Sequence, residues 1–103
     1  MTAITKKAII QAATEVAERA PRARNRSSKM VDRRQPRGLI GRTLHAVGLS
    51  PAEIRAVQGS SRKFSQEERL RNHLNPSATA WVMEANARAN QGMTWAEVVS
   101  TTR

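Results

Sequence analysis

The stretch Gly48-Leu-Ser-Pro-Ala-Glu-Ile-Arg-Ala-Val-Gln-Gly59 predicts a tight turn followed by a short, capped helix. Ser50 and Glu53 have the spacing of a capping box, in which each side chain satisfies a backbone N–H of the other residue. Pro51 fits the first helical position, where its missing N–H costs nothing. The glycines at the two ends supply the turn and the end of the helix. Such a unit either presents a recognition helix to DNA or lets two small helices pack.

A second helix is predicted directly upstream, with its apolar residues on one face. Those inward-facing residues, together with the ones after the turn, are Ile40, Leu44, Val47, Leu49, Ile54 and Val57. A helix, a three-residue turn that contains glycine, and a second helix form the arrangement of a helix-turn-helix unit. We therefore expect a helix-turn-helix-like unit over residues 39–59.

The pattern Ile40-Gly41 … Gly48-Leu49-Ser50 … Ile54-Arg55 resembles the helix-turn-helix of the mercury-resistance-type (MerR-like) transcriptional regulators. The resemblance covers residues 40–57, and it implies that the second helix docks on duplex DNA. The chain departs from the family at Leu44, where a small residue is usual, and in the residues after Val57, which lack the aromatic continuation and wing. The resemblance therefore implies a docking mode and no sensing chemistry.

The outward face of the second helix offers few groups for reading base sequence. Arg55 is a candidate for a bidentate contact to guanine and Gln58 for one to adenine. Arg42, Arg62 and Lys63 lie where they would suit phosphate contacts beside such a helix. The alternative is a helical corner that is buried against its neighbours, and the residues leave both open.

Residues 21–38, "PRARNRSSKMVDRRQPRG", carry more than half of the protein's net charge. One acid, Asp32, faces seven cations: Arg22, Arg24, Arg26, Lys29, Arg33, Arg34 and Arg37. Since two prolines and two serines interrupt any helical period, we expect a flexible arm. Arginine-rich arms beside a docked helix follow the DNA backbone or enter a minor groove, whereas a charge run can also be a solvated tail. We call residues 21–38 the basic segment.

Helices are also predicted on both sides of this central region. From Thr2 to Ala20, apolar residues recur every three or four positions, which is typical of an amphipathic helix that packs in a core or pairs with a second copy of the chain. Capping-box spacings at Ser65/Glu68 and Thr94/Glu97 predict the starts of two more helices. Between them, a helix follows Asn75-Pro76.

These patterns predict an all-α fold: a small bundle of about five to six short helices, with no strands. We expect Trp81 and Trp95 to pack in its interior. The expected organisation is an N-terminal amphipathic helix (1–20), a flexible basic arm (21–38) and a small helical domain (39–103).

The composition points to an anionic partner. The chain has 103 residues and a formal charge of +10, with 18 Lys and Arg against 8 Asp and Glu, and such a surplus favours nucleic-acid phosphates over acidic proteins and anionic membranes. There is no cysteine and no apolar run long enough to span a bilayer. His45 and His73 are far apart in sequence, and no metal-ligand or phosphate-loop spacing is present. We expect a cytoplasmic, non-enzymatic protein without a cofactor.

The leading hypothesis is a small protein that binds double-stranded DNA, as a transcriptional regulator or accessory factor of phage or plasmid type. A homodimer through the N-terminal helix would fit it. One alternative is a protein-interaction module, such as a phage-encoded inhibitor or structural component, whose basic arm binds an acidic protein surface. Another is an RNA-binding protein whose arm becomes ordered on folded RNA.

Overall fold

The computed structural model describes residues 3–27, 29–59 and 64–103. Within these ranges the chain forms six helices: α1 (Lys6–Arg19), α2 (Gly38–Ala46), α3 (Pro51–Gln58), α4 (Gln66–Arg71), α5 (Pro76–Asn90) and α6 (Trp95–Thr101). The prediction of an all-α bundle of about six short helices is confirmed. Arg62 and Lys63, two of the predicted phosphate contacts, lie outside the described residues.

Helices α3, α4 and α6 begin at the capping residues that the sequence predicted. Thr5 caps α1 by accepting from the Ala8 N–H at 3.2 Å. Reciprocal capping boxes form at Ser50/Glu53 on α3 and at Thr94/Glu97 on α6. At the start of α4, the Ser65 hydroxyl accepts from the Glu68 N–H at 3.2 Å, which is one half of such a box.

The core lies where α1, α2 and α5 meet. Ile9 of α1, Leu39 of α2 and Trp81 of α5 are each at most 1 % exposed. The apolar face of α1 packs against α2, α5 and α6, so the chain itself covers that face. Both tryptophans are buried, as predicted, and the Trp81 indole N–H donates to the Thr102 carbonyl at 3.2 Å.

The predicted helix-turn-helix-like unit is present as α2, a turn over residues 47–50, and α3. The turn contains Gly48 at φ +110°, a backbone conformation that glycine adopts without steric cost. Leu44, Leu49 and Ile54 face inward, are at most 3 % exposed and belong to one core cluster, so the two helices pack against each other through these side chains.

The basic segment differs from its prediction. Residues Val31–Asp32 (β1) and Gln35–Pro36 (β2) pair as an antiparallel hairpin, with Val31 opposite Pro36 and Asp32 opposite Gln35. Our expectation of no strands is therefore wrong. Met30 and Val31 are 3 % and 5 % exposed and belong to the core cluster, so the segment packs on the helices and does not extend from them as an arm.

Gly41 explains how the basic segment comes so close to α2. A Cβ atom at this position would overlap the Met30 carbonyl oxygen and would lie 2.8 Å from its carbon. Only glycine leaves room for this contact between the Met30 backbone and the helix. The Ile-Gly pair that marked the helix-turn-helix in the sequence is thus also the docking point of the basic segment.

Candidate nucleic-acid interface

A groove of about 600 Å³ separates the hairpin from α3, and basic side chains line both of its walls. Lys29, Arg33 and Arg34 come from the hairpin side, and Arg55 comes from α3. All four are exposed. Pro51 and Ala52, in the first turn of α3, also line the groove next to Arg55. We call this space the hairpin groove.

The tip of the hairpin consists of two arginines in an uncommon backbone conformation. Arg33 has φ +49° and Arg34 has φ +65°. A two-residue hairpin loop with both central residues at positive φ has the signature of a type I′ turn, which strongly prefers Asn-Gly. The left-handed conformation costs a residue with a Cβ about 1–2 kcal/mol. The chain therefore keeps two strained arginines at a position that other residues would fill more favourably.

Gln58 joins the hairpin to α3. Its side-chain oxygen accepts from the Val31 N–H at 2.8 Å and also from the Met30 N–H. A bidentate contact to adenine would need that same oxygen. In this arrangement Gln58 is therefore a structural tether, and our prediction that it reads a base is not supported by its contacts.

A second groove, of about 480 Å³, lies on the other side of the hairpin, towards the start of α2. We call it the α2 groove. Its cationic lining consists of Arg24, Arg26, Lys29, Arg37 and Arg42. Asp32 lines both grooves and is the one acid among the described residues that line them. The hairpin is thus a ridge between two basic grooves.

Two cations of the α2 groove also have structural contacts. Arg24 donates to the Gly92 carbonyl at 2.6 Å, which links the basic segment to the turn before α6. The Arg42 guanidinium lies 5.6 Å from the centre of the Trp95 ring, within the range of a cation–π contact. Arg24 and Arg42 are both exposed, so both charges are still presented to solvent.

Asn25 lines the α2 groove and forms hydrogen bonds to the two neighbouring helices. Its side-chain oxygen accepts from the Leu39 N–H at 3.2 Å and from the Trp95 indole N–H at 3.0 Å. The first of these satisfies a backbone donor at the start of α2, where the N-cap residue Arg37 makes no side-chain cap. Asn25 therefore connects the basic segment to both α2 and α6.

The acid nearest to the hairpin groove along α3 is occupied by its own cap. The Glu53 carboxylate accepts from the Ser50 N–H at 2.9 Å, and its other oxygen lies 3.5 Å from His73 Nδ1. Hydrogen bonds from the Ser50 backbone and side chain lower the pKa of Glu53, and His73 adds to the effect. The carboxylate is thus held at the start of α3, away from the groove lining.

The structure brings most of the predicted contact residues to the two grooves. The hairpin groove gathers Lys29, Arg33, Arg34, Arg55 and Gln58, and the α2 groove gathers Arg24, Arg26, Arg37 and Arg42. Arg22 is exposed in the turn after α1 and lines neither groove. The sequence missed the tethering role of Asn25, because a single asparagine among arginines has no pattern that marks it.

No family model, curated protein or solved structure matches this chain. In the described ranges, no helix combines the length and the apolar character that crossing a membrane requires. The function is therefore inferred from the geometry and charge of the two grooves.

Proposed function

We propose that this protein binds double-stranded DNA through α3 and the basic hairpin, as a small regulator or accessory factor of phage or plasmid type. It acts by binding and without catalysis, in the bacterial cytoplasm or nucleoid. The size and one-sided charge of the chain favour this function over an interaction with acidic proteins.

The observation that carries the proposal is the cationic lining of the hairpin groove on both walls. A sugar-phosphate strand is a continuous line of negative charge, and a cleft lined by cations concentrates such a ligand. One wall is α3, the second helix of a helix-turn-helix-like unit, which is the element that enters a major groove in proteins of that architecture. The basic segment carries a net charge of +6, whereas residues 38–59 carry two arginines against one glutamate. Affinity is therefore supplied mainly by the basic segment and orientation by α3.

The first test separates phosphate contacts from net charge. Replacing Arg33, Arg34 and Arg37 together with Gln should weaken binding to every duplex, whatever its sequence. It should also flatten the dependence of log K on log salt by about 0.9 for each phosphate group that is no longer neutralised. The matched control replaces Arg19, Arg71 and Arg88 with Gln, which removes the same charge from α1, α4 and α5. Fluorescence anisotropy at several salt concentrations measures both slopes, and the control should keep the wild-type slope.

The second test concerns α3. Arg55→Ala removes one cation and should flatten the salt slope by no more than about 0.9, but it should reduce discrimination between a selected site and random duplex by about 1–3 kcal/mol. The selected site is first obtained from a randomised duplex pool with the wild-type protein. Failure of the wild-type protein to bind any duplex at low salt would overturn the proposal and leave an acidic protein or RNA as the partner.

A further inference from the structure

We infer that the Arg33–Arg34 turn is a minor-groove contact site, which makes the protein favour A·T-rich DNA on the side of the site that the hairpin faces. This inference rests on the proposed function, since it requires α3 to dock on duplex DNA. It adds to that function a second readout element, in a different groove of the DNA and with a specificity of its own.

The position of the hairpin on docked DNA follows from the shape of the duplex. One sugar-phosphate strand separates the wide major groove from the narrow minor groove. The hairpin groove has α3 as one wall and the hairpin as the other, with cations on both. A sugar-phosphate strand that runs in the hairpin groove has the DNA major groove on the side of α3. The minor groove then lies on the other side, under the hairpin.

In this placement, the tip of the hairpin presents arginine side chains to the minor groove. Its loop has only two residues, both of them arginines, and both are exposed. A two-stranded ribbon is too wide for the minor groove, which is about 6 Å across, but extended side chains enter it. The loop is thus the part of the hairpin that fits.

The backbone of the turn is strained in a way that a functional contact would explain. Positive φ at Arg33 and Arg34 costs free energy that an Asn-Gly turn would avoid. Strain of this kind persists where the surrounding structure enforces it and occurs preferentially at functional sites. Here Gln58 and the buried Val31 hold the base of the hairpin, so the tip is oriented before DNA binds.

The base preference follows from the chemistry of the minor groove. A·T tracts have a narrow minor groove with enhanced negative potential, which attracts inserted arginines. G·C pairs place the guanine N2 amino group in that groove, a donor that repels a guanidinium and blocks deep insertion. The Arg33–Arg34 pair should therefore disfavour G·C pairs beneath the hairpin.

The experiment compares three duplexes of equal length, made of alternating A·T, I·C or G·C pairs. Inosine lacks the guanine N2 amino group and keeps the major-groove acceptors of guanine, so I·C and G·C differ at the minor-groove edge. Anisotropy titrations with the full chain compare I·C with G·C directly, because both present the same major-groove acceptors to Arg55, whereas the A·T duplex differs from them in both grooves. Affinity for G·C should be about fivefold weaker than for I·C, equivalent to about 1 kcal/mol.

Two variants assign the effect to the turn. The double variant Arg33→Asn with Arg34→Gly removes both guanidinium groups and keeps residues that suit a type I′ turn. It should bind I·C and G·C equally. The control Lys6→Ala with Lys7→Ala removes two adjacent cations from the start of α1, away from both grooves, and should retain the fivefold difference. If the double variant binds too weakly, the single variants are measured at lower salt.

The outcomes distinguish this inference from the function on which it rests. Equal wild-type affinity for I·C and G·C would overturn the minor-groove site and leave duplex binding intact. An I·C preference that survives in the Asn-Gly variant would also overturn the assignment to Arg33 and Arg34. Absence of binding to all three duplexes at low salt would overturn the proposed function itself.

Discussion

The helix-turn-helix-like unit and the basic segment lie side by side, but different interactions hold them in place. The unit is built from neighbours in sequence: the Ser50/Glu53 box starts α3, and Leu49 and Ile54 close the corner with α2. The basic segment is fixed by contacts distant in sequence. Gln58 holds Met30 and Val31, and Asn25 holds the starts of α2 and α6.

The difference shows how a highly charged stretch can be folded. Seven cations in 18 residues repel one another and bury little apolar surface. Two buried side chains, Met30 and Val31, and a few hydrogen-bonded amides are enough to hold the segment because the helices already provide a preformed surface. The charge can therefore be concentrated on a part of the chain that could not fold alone.

The largest expected effect is the loss of stability caused by adding a Cβ atom at Gly41. Gly41→Ala places a methyl group against the Met30 backbone, and we expect a loss of about 1–3 kcal/mol in the free energy of unfolding, as for other overpacked core sites. Gly59→Ala is the matched control, since φ is −61° there and the nearest neighbour of the added Cβ, the Arg55 carbonyl oxygen, is at 3.4 Å. Urea unfolding measures both. Equal stability of the two variants would show that the segment does not dock on α2 in this way.

The next largest effect should appear at the Gln58 tether. Gln58→Leu leaves the Met30 and Val31 N–H groups without their acceptor, and we expect their local opening free energy to fall by about 1–2 kcal/mol. Amide hydrogen exchange of these two residues measures it. Gln58→Glu keeps an acceptor oxygen and should preserve protection. Rapid exchange of both amides in the wild-type protein would instead support the flexible arm predicted from sequence.

A smaller effect is expected at the cap of α3. Ser50→Ala removes the acceptor for the Glu53 N–H, a loss of about 0.5–2 kcal/mol. Ser50→Asp retains a capping oxygen and should restore most of that loss. Thermal unfolding followed by circular dichroism compares the two variants. Identical melting temperatures for Ser50→Ala and wild type would mean that packing alone holds the helix-turn-helix-like unit.

The smallest effect concerns the same cap at low pH. Because the cap lowers the pKa of Glu53 in the folded protein below its ordinary value of about 4.5, the ionised carboxylate stabilises the fold above that value. This stabilisation is lost as the pH falls through the lowered pKa. Urea unfolding at pH 6 and below pH 4 should show a smaller acid-induced loss in Glu53→Gln than in wild type. An equal loss in both would exclude a contribution from Glu53.

The sequence by itself determined the helical part of the molecule. Helix starts are local events, since a capping residue and the backbone N–H that it satisfies are three positions apart. Ser50, Ser65 and Thr94 could therefore be assigned without any tertiary information, and so could the helix-turn-helix-like unit. The net charge, and with it the class of partner we propose, also follows from residue counts alone.

Only the tertiary structure decided how the basic segment folds and packs. An Arg-Arg turn lacks the Asn-Gly signal of a two-residue hairpin, and the hairpin forms because α2 and α3 supply its partners. The same holds for Gln58, whose outward position in α3 suggested a base contact until the Met30 and Val31 amides occupied its oxygen. Interactions between residues about 30 positions apart leave no local pattern, because each partner alone is an ordinary surface residue. The physical reason for both results is the separation in sequence of the residues that interact. A cap and the apolar face of a helix depend on residues three or four positions apart, whereas the grooves exist only after distant segments have packed together.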